Sequence, residues 1–535
     1  MSKNTRPLAL ISVTDKTGVI DFARSLEGLN FEIISTGGTA KLLRDSGVAV
    51  TEVSTLTDCP EVLGGRVKTL HPSIHGGILA DRSNPEHLTQ LEAMGWLPID
   101  LVVANLYNFA GEAKNKRLPI NAAIEFIDIG GPAMLRAAAK NHRSCLPVVD
   151  PSDYLDIINR IKSNDLNVDY RRILSGKVFS LTAAYDQMIA DYINSIDSSD
   201  DVTKQSGELP KIMDLRLTES QSLRYGENPH QVAGFYRSPF EDGGLADAET
   251  LQGKELSYNN YLDLDAASAI VAELYPAPAM TIIKHTNPCG TAAALPNDKT
   301  SSAKELFTRA LMSDPKCAFG GIVASNIPID ESAALAMSEI FLECIIAPAY
   351  TDAALEIFRN KKNLRILRTT ELLTPNKNSS SRLMFKSISG GLLVQTTDSA
   401  PINPETWSCV SKLKPNPPQL SEMAFAMSIC KHVKSNAIVL SSKLRSIGIG
   451  AGQMSRIDSL HIAVNKSREL GHKLIGSVMA SDAFFPFRDC VDLAAKAGIT
   501  AIVQPGGSVR DQESIDAANE HGIVMMLTGV RHFKH

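Results

Sequence analysis

The sequence predicts an α/β protein in two parts, and three observations predict it. Strand and helix signals alternate from Leu8 to Val149. A polar stretch near residue 200 has almost nothing to bury. Beyond it, short apolar strands recur between helical patterns to the end of the chain.

The first part reads in order. Leu8–Val13 is a short apolar run, and Val19, Phe22, Ala23 and Leu26 follow at helical spacing. Phe31–Ile34 is the next strand. Thr36-Gly37-Gly38-Thr39 breaks it, and a short helix is expected over Ala40–Arg44, ending near Gly47. Ile99–Ala104 and Leu146–Val149 are further buried strands. This order implies a mostly parallel sheet with helices on both faces. Ser195–Gly207 reads S-I-D-S-S-D-D-V-T-K-Q-S-G and is taken as a domain linker. In the second part, strands are expected at Met280–Ile283, Gly321–Ala324, Cys344–Ala347, Ala437–Leu440, Ile499–Val503 and Ile523–Leu527, with exposed loops at Thr374–Ser381 and Lys414–Gln419. A faint repeat runs through it. Ile283-Lys284-His285 echoes Cys430-Lys431-His432, and Ser313-Asp314 with Ala318-Phe319 echoes Ser481-Asp482-Ala483-Phe484. If the echoes are real, this half is two similarly folded subdomains.

Bulk properties bound the function. At about 150 residues per domain, 535 residues make three to four units. Hydrophobic residues are 44% and charged residues 21%, as in globular proteins with large cores. The formal net charge of −5 argues against a surface that coats nucleic acid. Met1–Ile11 lacks the apolar core of a signal peptide, and no run of 18 apolar residues exists. A cytoplasmic protein with no membrane or nucleic-acid partner is expected. The eight cysteines, Cys59, Cys145, Cys289, Cys317, Cys344, Cys409, Cys430 and Cys490, include no C-x-x-C pair, which argues against disulfides and structural zinc.

Ligands of open α/β sheets sit outside the carboxyl ends of the strands. After the first strand comes Ser12-Val13-Thr14-Asp15-Lys16-Thr17, and after the second Thr36-Gly37-Gly38-Thr39, where glycines, hydroxyls and a helix start suit a phosphate. Gly64-Gly65-Arg66-Val67-Lys68-Thr69-Leu70-His71-Pro72 sets two cations beside flexible glycines. Asn105-Leu106-Tyr107, Asp128-Ile129-Gly130-Gly131 and Arg136–Lys140 follow. In the second part, Arg224-Tyr225-Gly226-Glu227-Asn228-Pro229-His230-Gln231 is compact and polar. Lys284-His285-Thr286-Asn287-Pro288-Cys289-Gly290 closes a strand, and a cation beside an imidazole keeps it neutral and fit for base chemistry. No P-loop, H-E-x-x-H or zinc deaminase signature occurs. Gly448-Ile449-Gly450-Ala451-Gly452-Gln453 lacks the third glycine spacing of a dinucleotide fingerprint.

These motifs, with Ala318-Phe319-Gly320-Gly321, Ile345-Ile346-Ala347-Pro348, Ser481–Asp489 and Arg531-His532-Phe533, run in order from Leu8 to His535. With them the chain resembles the bifunctional purine biosynthesis family, in which AICAR formyltransferase (AICAR being phosphoribosylaminoimidazolecarboxamide) is fused to IMP cyclohydrolase. The resemblance implies an IMP cyclohydrolase domain over 1–196, with a methylglyoxal-synthase-like parallel-sheet core at about 6–150. It implies a linker over 197–210 and an AICAR formyltransferase domain over 211–535, a pair of cytidine-deaminase-like subdomains without metal. In the cyclohydrolase, Thr14, Asp15, Lys16, Thr36, Gly37, Gly38, Thr39, Arg66, Val67, Lys68, Thr69, Ala104, Asn105, Asp128 and Ile129 would hold substrate. In the formyltransferase, Arg224, Tyr225, His285, Gly320, Glu343, Asn436, Phe484, Asp489 and Arg531 would hold AICAR. Arg456, Ile457, Ser508 and Val509 would touch the folate. Glu343 stands where some relatives have aspartate. The co-substrate implied is 10-formyltetrahydrofolate, with no transition metal. The other partners implied are AICAR, formyl-AICAR, IMP and a second copy of the chain in a homodimer.

The implied chemistry has two steps. His285 would take a proton from the weakly nucleophilic amine of AICAR as it attacks the formyl carbon, and Lys284 would stabilise developing charge. The carboxamide nitrogen then closes the ring on the formyl group and water leaves. There Lys68 would stabilise the oxyanion, and Asp128, Tyr107 and Lys140 would move protons. A nucleotide-sensing module and a zinc deaminase are the alternatives from other classes. The first needs neither Lys140 nor a second catalytic domain, and the second lacks its ligands.

Overall fold

The computed structural model describes residues 6–114, 116, 118–194, 209, 213, 215, 217–237, 244–294, 301–369 and 383–535. The chain divides into two compact units, 1–208 and 209–535. The linker expected at 197–210, Leu209 aside, and the loop expected at Thr374–Ser381 lie outside the described residues.

The first unit is built on five parallel strands: β1 (Leu8–Ser12), β2 (Glu32–Ser35), β3 (Val50–Glu52), β4 (Leu101–Ala104) and β5 (Leu146–Val148), in the order β3-β2-β1-β4-β5. Side chains of a strand alternate between faces, and here both faces are covered. Leu8 and Leu10 pack with Ile34, Val102 and Leu135 on one side, and Ala9 and Ile11 pack with Val19, Phe22 and Leu26 on the other. That two-sided burial is why these strands read as continuous apolar runs. The helix Val19–Gly28 buries the four positions the spacing marked. The next helix differs from expectation. It spans Gly37–Asp45, so Gly37 and Gly38 form its first turn and do not merely break the strand. Glycine costs little there, because the first N–H groups of a helix have no intrahelical acceptor.

The second unit holds two six-stranded sheets. The first contains β8 (Glu249–Gln252), β9 (Ala279–Lys284), β10 (Asn287–Ala293), β11 (Gly321–Ser325), β12 (Leu342–Ala347) and β13 (Arg365–Arg368), in the order β10-β9-β11-β12-β13-β8. The other contains β16 (Ser408–Cys409), β17 (Ile438–Ser441), β18 (Ser446–Gly450), β19 (Val478–Ser481), β20 (Ala501–Gln504) and β21 (Val524–Leu527), in the order β18-β17-β19-β20-β21-β16. Two ribbons stand apart: β6 (Thr218–Leu223) with β7 (Ala233–Arg237), and β14 (Leu383–Ile388) with β15 (Gly391–Thr396). The edge strands β10 and β18 carry glycine and polar residues, which hid them from the apolar pattern.

The two sheets share one plan, pair for pair. Each has an antiparallel hairpin, an antiparallel neighbour, two parallel steps and an antiparallel edge. Register aligns Met280 with Ile438 and Ser325 with Ser481. Two matching details follow. The hydroxyls of Ser325 and Ser481 donate to Ile327 O and Ala483 O, each at 2.8 Å. The N–H groups of Asn326 and Asp482 donate to Ala279 O and Ala437 O. The sequence echoes that hinted at a repeat are therefore not the equivalent positions. Lys284-His285 corresponds to Ser442-Lys443, whereas Lys431-His432 follows the helix Pro417–Cys430. Ser481-Asp482 corresponds to Ser325-Asn326, not to Ser313-Asp314.

Candidate active sites

In the first unit the expected loops converge at the carboxyl edge of the sheet. Asn105, just past β4, accepts the N–H groups of Thr14 at 2.5 Å and Asp15 at 3.0 Å on one oxygen, and its amide donates back to Asp15 O at 3.1 Å. Asp15 folds onto Thr17, and those hydrogen bonds hold its carboxyl below the ordinary value. The Thr39 hydroxyl donates to Val13 O at 2.9 Å and receives Lys16 Nζ at 2.7 Å. Partial burial lowers the Lys16 ammonium's pKa. Lys16 thus stands at the N-terminus of the helix Gly37–Asp45, whose capping residue Thr36 makes no side-chain cap. Open helix N–H groups beside a cation suit a phosphate.

The remaining loops meet the same edge. A Cβ on Gly37 would lie 3.6 Å from Lys68 Nζ, and Gly37 has φ +55°. Lys68 pairs with Glu61 at 2.9 Å, a partner the sequence reading did not name. Thr69 is buried, with its hydroxyl 2.9 Å from where a Gly130 Cβ would stand. Asp128 accepts Gly131 N–H at 2.9 Å and a backbone hydrogen bond from Tyr107, and donates its own N–H to the Tyr185 hydroxyl at 2.8 Å. Burial nevertheless raises its carboxyl pKa. A Cβ on Gly131 would meet Asp128 Oδ2 at 2.6 Å, so a side chain there would push the Asp128 carboxylate aside. Ala104 is buried at the end of β4, Val67 pairs with Val62, and Ile129 is exposed. Arg66 is exposed and ion-paired with Glu125. An open cleft of about 570 Å³ beside Asp15 and Asn105 adds Asp150 and Lys177, also unnamed by the sequence reading.

Lys140 is not among these groups. It ends the helix Gly130–Lys140, whose other end begins beside Asp128. Ten residues at a rise of about 1.5 Å put it about 15 Å from that end. The direction of this helix thus sets Lys140 apart from Asp128, with which it was expected to share proton transfer.

In the second unit, Lys284 and His285 line a cleft of about 280 Å³ with Asn287, Cys289, Gln453 and Lys466. Its position departs from the carboxyl-edge expectation. β9 runs antiparallel to β11, so its carboxyl end lies at the amino ends of β11 and β12. Lys284 Nζ donates to Phe319 O at 2.8 Å, which brings Gly320 close, and Gly320 takes φ +74°. The second sheet meets this edge where Asn287 Oδ1 accepts the Lys434 N–H at 3.0 Å. Opposite, Lys466 Nζ binds Asp314 at 3.0 Å and reaches Cys317 Sγ at 3.4 Å. Burial pushes the Cys289 thiol up to about 12, so it stays protonated at neutral pH.

None of the other expected residues lines this cleft. Phe484 and Asp489 follow β19, Ser508 and Val509 follow β20, and Arg531 follows β21, all at the carboxyl edge of the second sheet. Phe484 and Val509 are exposed, Ser508 is half-buried, and Arg531 lies over the Phe533 ring at 4.4 Å. Arg224 lies over Tyr225 past β6, on a ribbon held to the helix Tyr258–Glu273 by Phe235–Tyr261 stacking. Glu343 pairs with buried Arg365 at 2.8 Å. Asn436 spends its amide on Gln453 O, Met454 O and Arg456. Arg456 corrects an expectation: its guanidinium is buried and consumed by Asp482, Ser481 and Asn436, so it faces inward while its neighbour Ile457 is half-buried.

Among the described residues, no group of three or more histidine, cysteine or acidic side chains could hold a metal ion, and no helix is long and apolar enough to cross a membrane. Comparison with known proteins matches residues 138–466 to the family described as AICARFT/IMPCHase bienzyme, and residues 18–133 to the MGS-like domain. A solved structure described as the crystal structure of ForH is 36% identical over 35% of this chain and 97% of its own, with a TM-score of 0.33.

Proposed function

The chain belongs to the AICARFT/IMPCHase bienzyme family, and we propose that its two units divide the two reactions between them. The protein is an enzyme of purine biosynthesis. It transfers a formyl group to AICAR, with 10-formyltetrahydrofolate as co-substrate, and cyclises formyl-AICAR to IMP.

Cyclisation takes place on the first unit. The observation that carries this is the convergence of Lys16, Lys68, Asn105 and Asp128 at one sheet edge. Lys16 and the helix Gly37–Asp45 take the phosphate. Lys68 leaves Glu61 to meet the oxyanion that forms as the carboxamide nitrogen attacks the formyl carbon. Asp128, with its raised carboxyl pKa, and Tyr107 move the protons that release water. The ring closure is intramolecular, so holding the reacting rotamer supplies much of the rate.

Formyl transfer takes place on the second unit, at the cleft of Lys284 and His285. His285 takes the proton of the attacking amine, and Lys284 stabilises the charge on the tetrahedral carbon's oxygen. Arg224, Tyr225, Glu343, Phe484, Asp489 and Arg531 hold AICAR from the surrounding edges. Ile457, Ser508 and Val509 offer exposed or half-exposed contacts to the folate. The two sheets are read as cytidine-deaminase-like subdomains without metal, a reading their common strand order supports. The enzyme works in the cytoplasm as a homodimer, and Lys140 serves cyclisation across that dimer, from the partner copy.

The test is selective loss. His285→Ala should slow formyl transfer by about a hundredfold and spare cyclisation of supplied formyl-AICAR, and Asp128→Asn should do the reverse. Equal loss of both steps in either variant would sink the division of labour.

A further inference from the structure

The turn that carries His285 is held in a conformation its residues do not favour. His285 and Thr286 take φ of 53° and 62° and join β9 to β10 across the pair Lys284–Asn287. Two left-handed residues in a two-residue hairpin loop suit asparagine and glycine, and a β-branched threonine adopts that region rarely. Asp263, on the helix Tyr258–Glu273, supplies what glycine would otherwise provide. One carboxylate oxygen accepts the His285 N–H at 3.3 Å and the other accepts the Thr286 N–H at 2.6 Å.

We propose that Asp263 is a positioning residue for formyl transfer: its carboxylate clamps the left-handed His285–Thr286 turn and so sets where the imidazole stands in the cleft. The proposal rests on the reading of His285 as the base.

The second sheet carries the same device independently. Register aligns His285 and Thr286 with Lys443 and Leu444, which also take positive φ, 57° and 49°. Glu422 accepts the Leu444 N–H at 2.9 and 3.2 Å. Asp263 and Glu422 are each the sixth residue of their helices, Tyr258–Glu273 and Pro417–Cys430, and both helices open with a capping box. The fold thus uses one helix carboxylate per sheet to hold a hairpin turn without glycine. In the first sheet that turn carries an imidazole into the cleft. In the second it carries Lys443, whose carbonyl is bound by Arg309. The pair supplies its own control, because loss of either carboxylate disturbs an equivalent turn and only one turn bears the base.

Asp263→Asn replaces an accepting oxygen with an amide donor facing an N–H. In the full chain, kcat for formyl transfer should fall about 10- to 100-fold, the effect of a displaced catalytic group. KM for AICAR should stay within about threefold and cyclisation should be unchanged. Asp263→Glu, which copies the second sheet, should restore most of the rate. Thr286→Gly placed in the Asp263→Asn chain should also restore it, because glycine takes positive φ unaided. Glu422→Gln should lower the melting temperature about as much as Asp263→Asn and leave formyl transfer at the wild-type rate. In a His285→Ala chain, adding Asp263→Asn should cost nothing further. If Asp263→Asn does not fold, the double variant with Thr286→Gly decides: soluble and fast supports the clamp, soluble and slow overturns it. A wild-type rate in Asp263→Asn, beside a slow His285→Ala chain, overturns the positioning role alone. A wild-type rate in His285→Ala overturns the base reading and the positioning role with it.

Discussion

Asn105 and Asp15 hold each other through both atoms of one amide: Asn105 Oδ1 accepts the Asp15 N–H at 3.0 Å, and Asn105 Nδ2 donates to Asp15 O at 3.1 Å. This ties the loop after β1 to the loop after β4. Asn105→Asp keeps the acceptor, loses the donor and sets a negative charge beside a site for an anion. KM for formyl-AICAR should rise about tenfold, the equivalent of about 1.4 kcal/mol, with formyl transfer unchanged. Initial-rate kinetics of the two half-reactions check this, and an unchanged KM would show that Asn105 only braces the loops.

Asp128 sets a pH dependence. Burial raises its carboxyl pKa against the lowering effect of the Gly131 and Tyr107 hydrogen bonds. To accept a proton it must be ionised, so lowering the pH through that raised pKa removes activity. The acid limb of the cyclisation profile should therefore lie above the ordinary aspartate value of about 3.9. Asp128→Asn should abolish the limb and lower the rate by about 10²- to 10⁴-fold. A profile with the same limb in Asp128→Asn would assign it to another group.

Lys140 makes a prediction about assembly. If it acts across a two-fold dimer, each cyclisation site joins Asp128 of one copy to Lys140 of the other. Lys140→Ala and Asp128→Asn chains should each be slow alone. Unfolded and refolded together in equal amounts, they should recover about one quarter of the wild-type activity, since half the dimers then hold one intact site. Activity no greater than the mean of the two parents would overturn the sharing of the site across the dimer.

Arg456 should behave as a core residue. Its guanidinium is 5% exposed and the Asp482 carboxylate 0%, so Arg456→Ala leaves a buried charge without its partner. Loss of about 3–5 kcal/mol is expected, with a fall of several degrees in melting temperature. The KM for the folate should move little in whatever fraction stays folded at low temperature. A large rise in that KM at unchanged stability would return Arg456 to the folate site.

The first unit's site was legible because its evidence is local. Thr14–Lys16, Thr36–Thr39 and Asn105 each follow directly on an apolar strand, and in a parallel sheet every strand delivers its next loop to the same edge. Tyr185 and Lys177 gave no such signal, because each reaches the site from an element distant in sequence. Asp263 sits in Ser257–Asp265, a polar helix start that carries no mark of the turn 22 residues away which it holds.

The sequence alone determined the α/β alternation, the family and the order of the motifs, because hydrophobic period and turn chemistry are properties of neighbouring residues. Tertiary structure decided strand direction and register, which are set by long-range pairing. The reversal of β9 moves Lys284 and His285 to the amino edge of β11 and β12. The run of the helix Gly130–Lys140 carries Lys140 away from Asp128. Arg456 turns inward because Asp482 is buried beside it and a buried carboxylate needs a partner. The true counterparts of the repeat, His285 with Lys443 and Asp263 with Glu422, share register but not residue type, which is why comparison of letters aligned the wrong pairs.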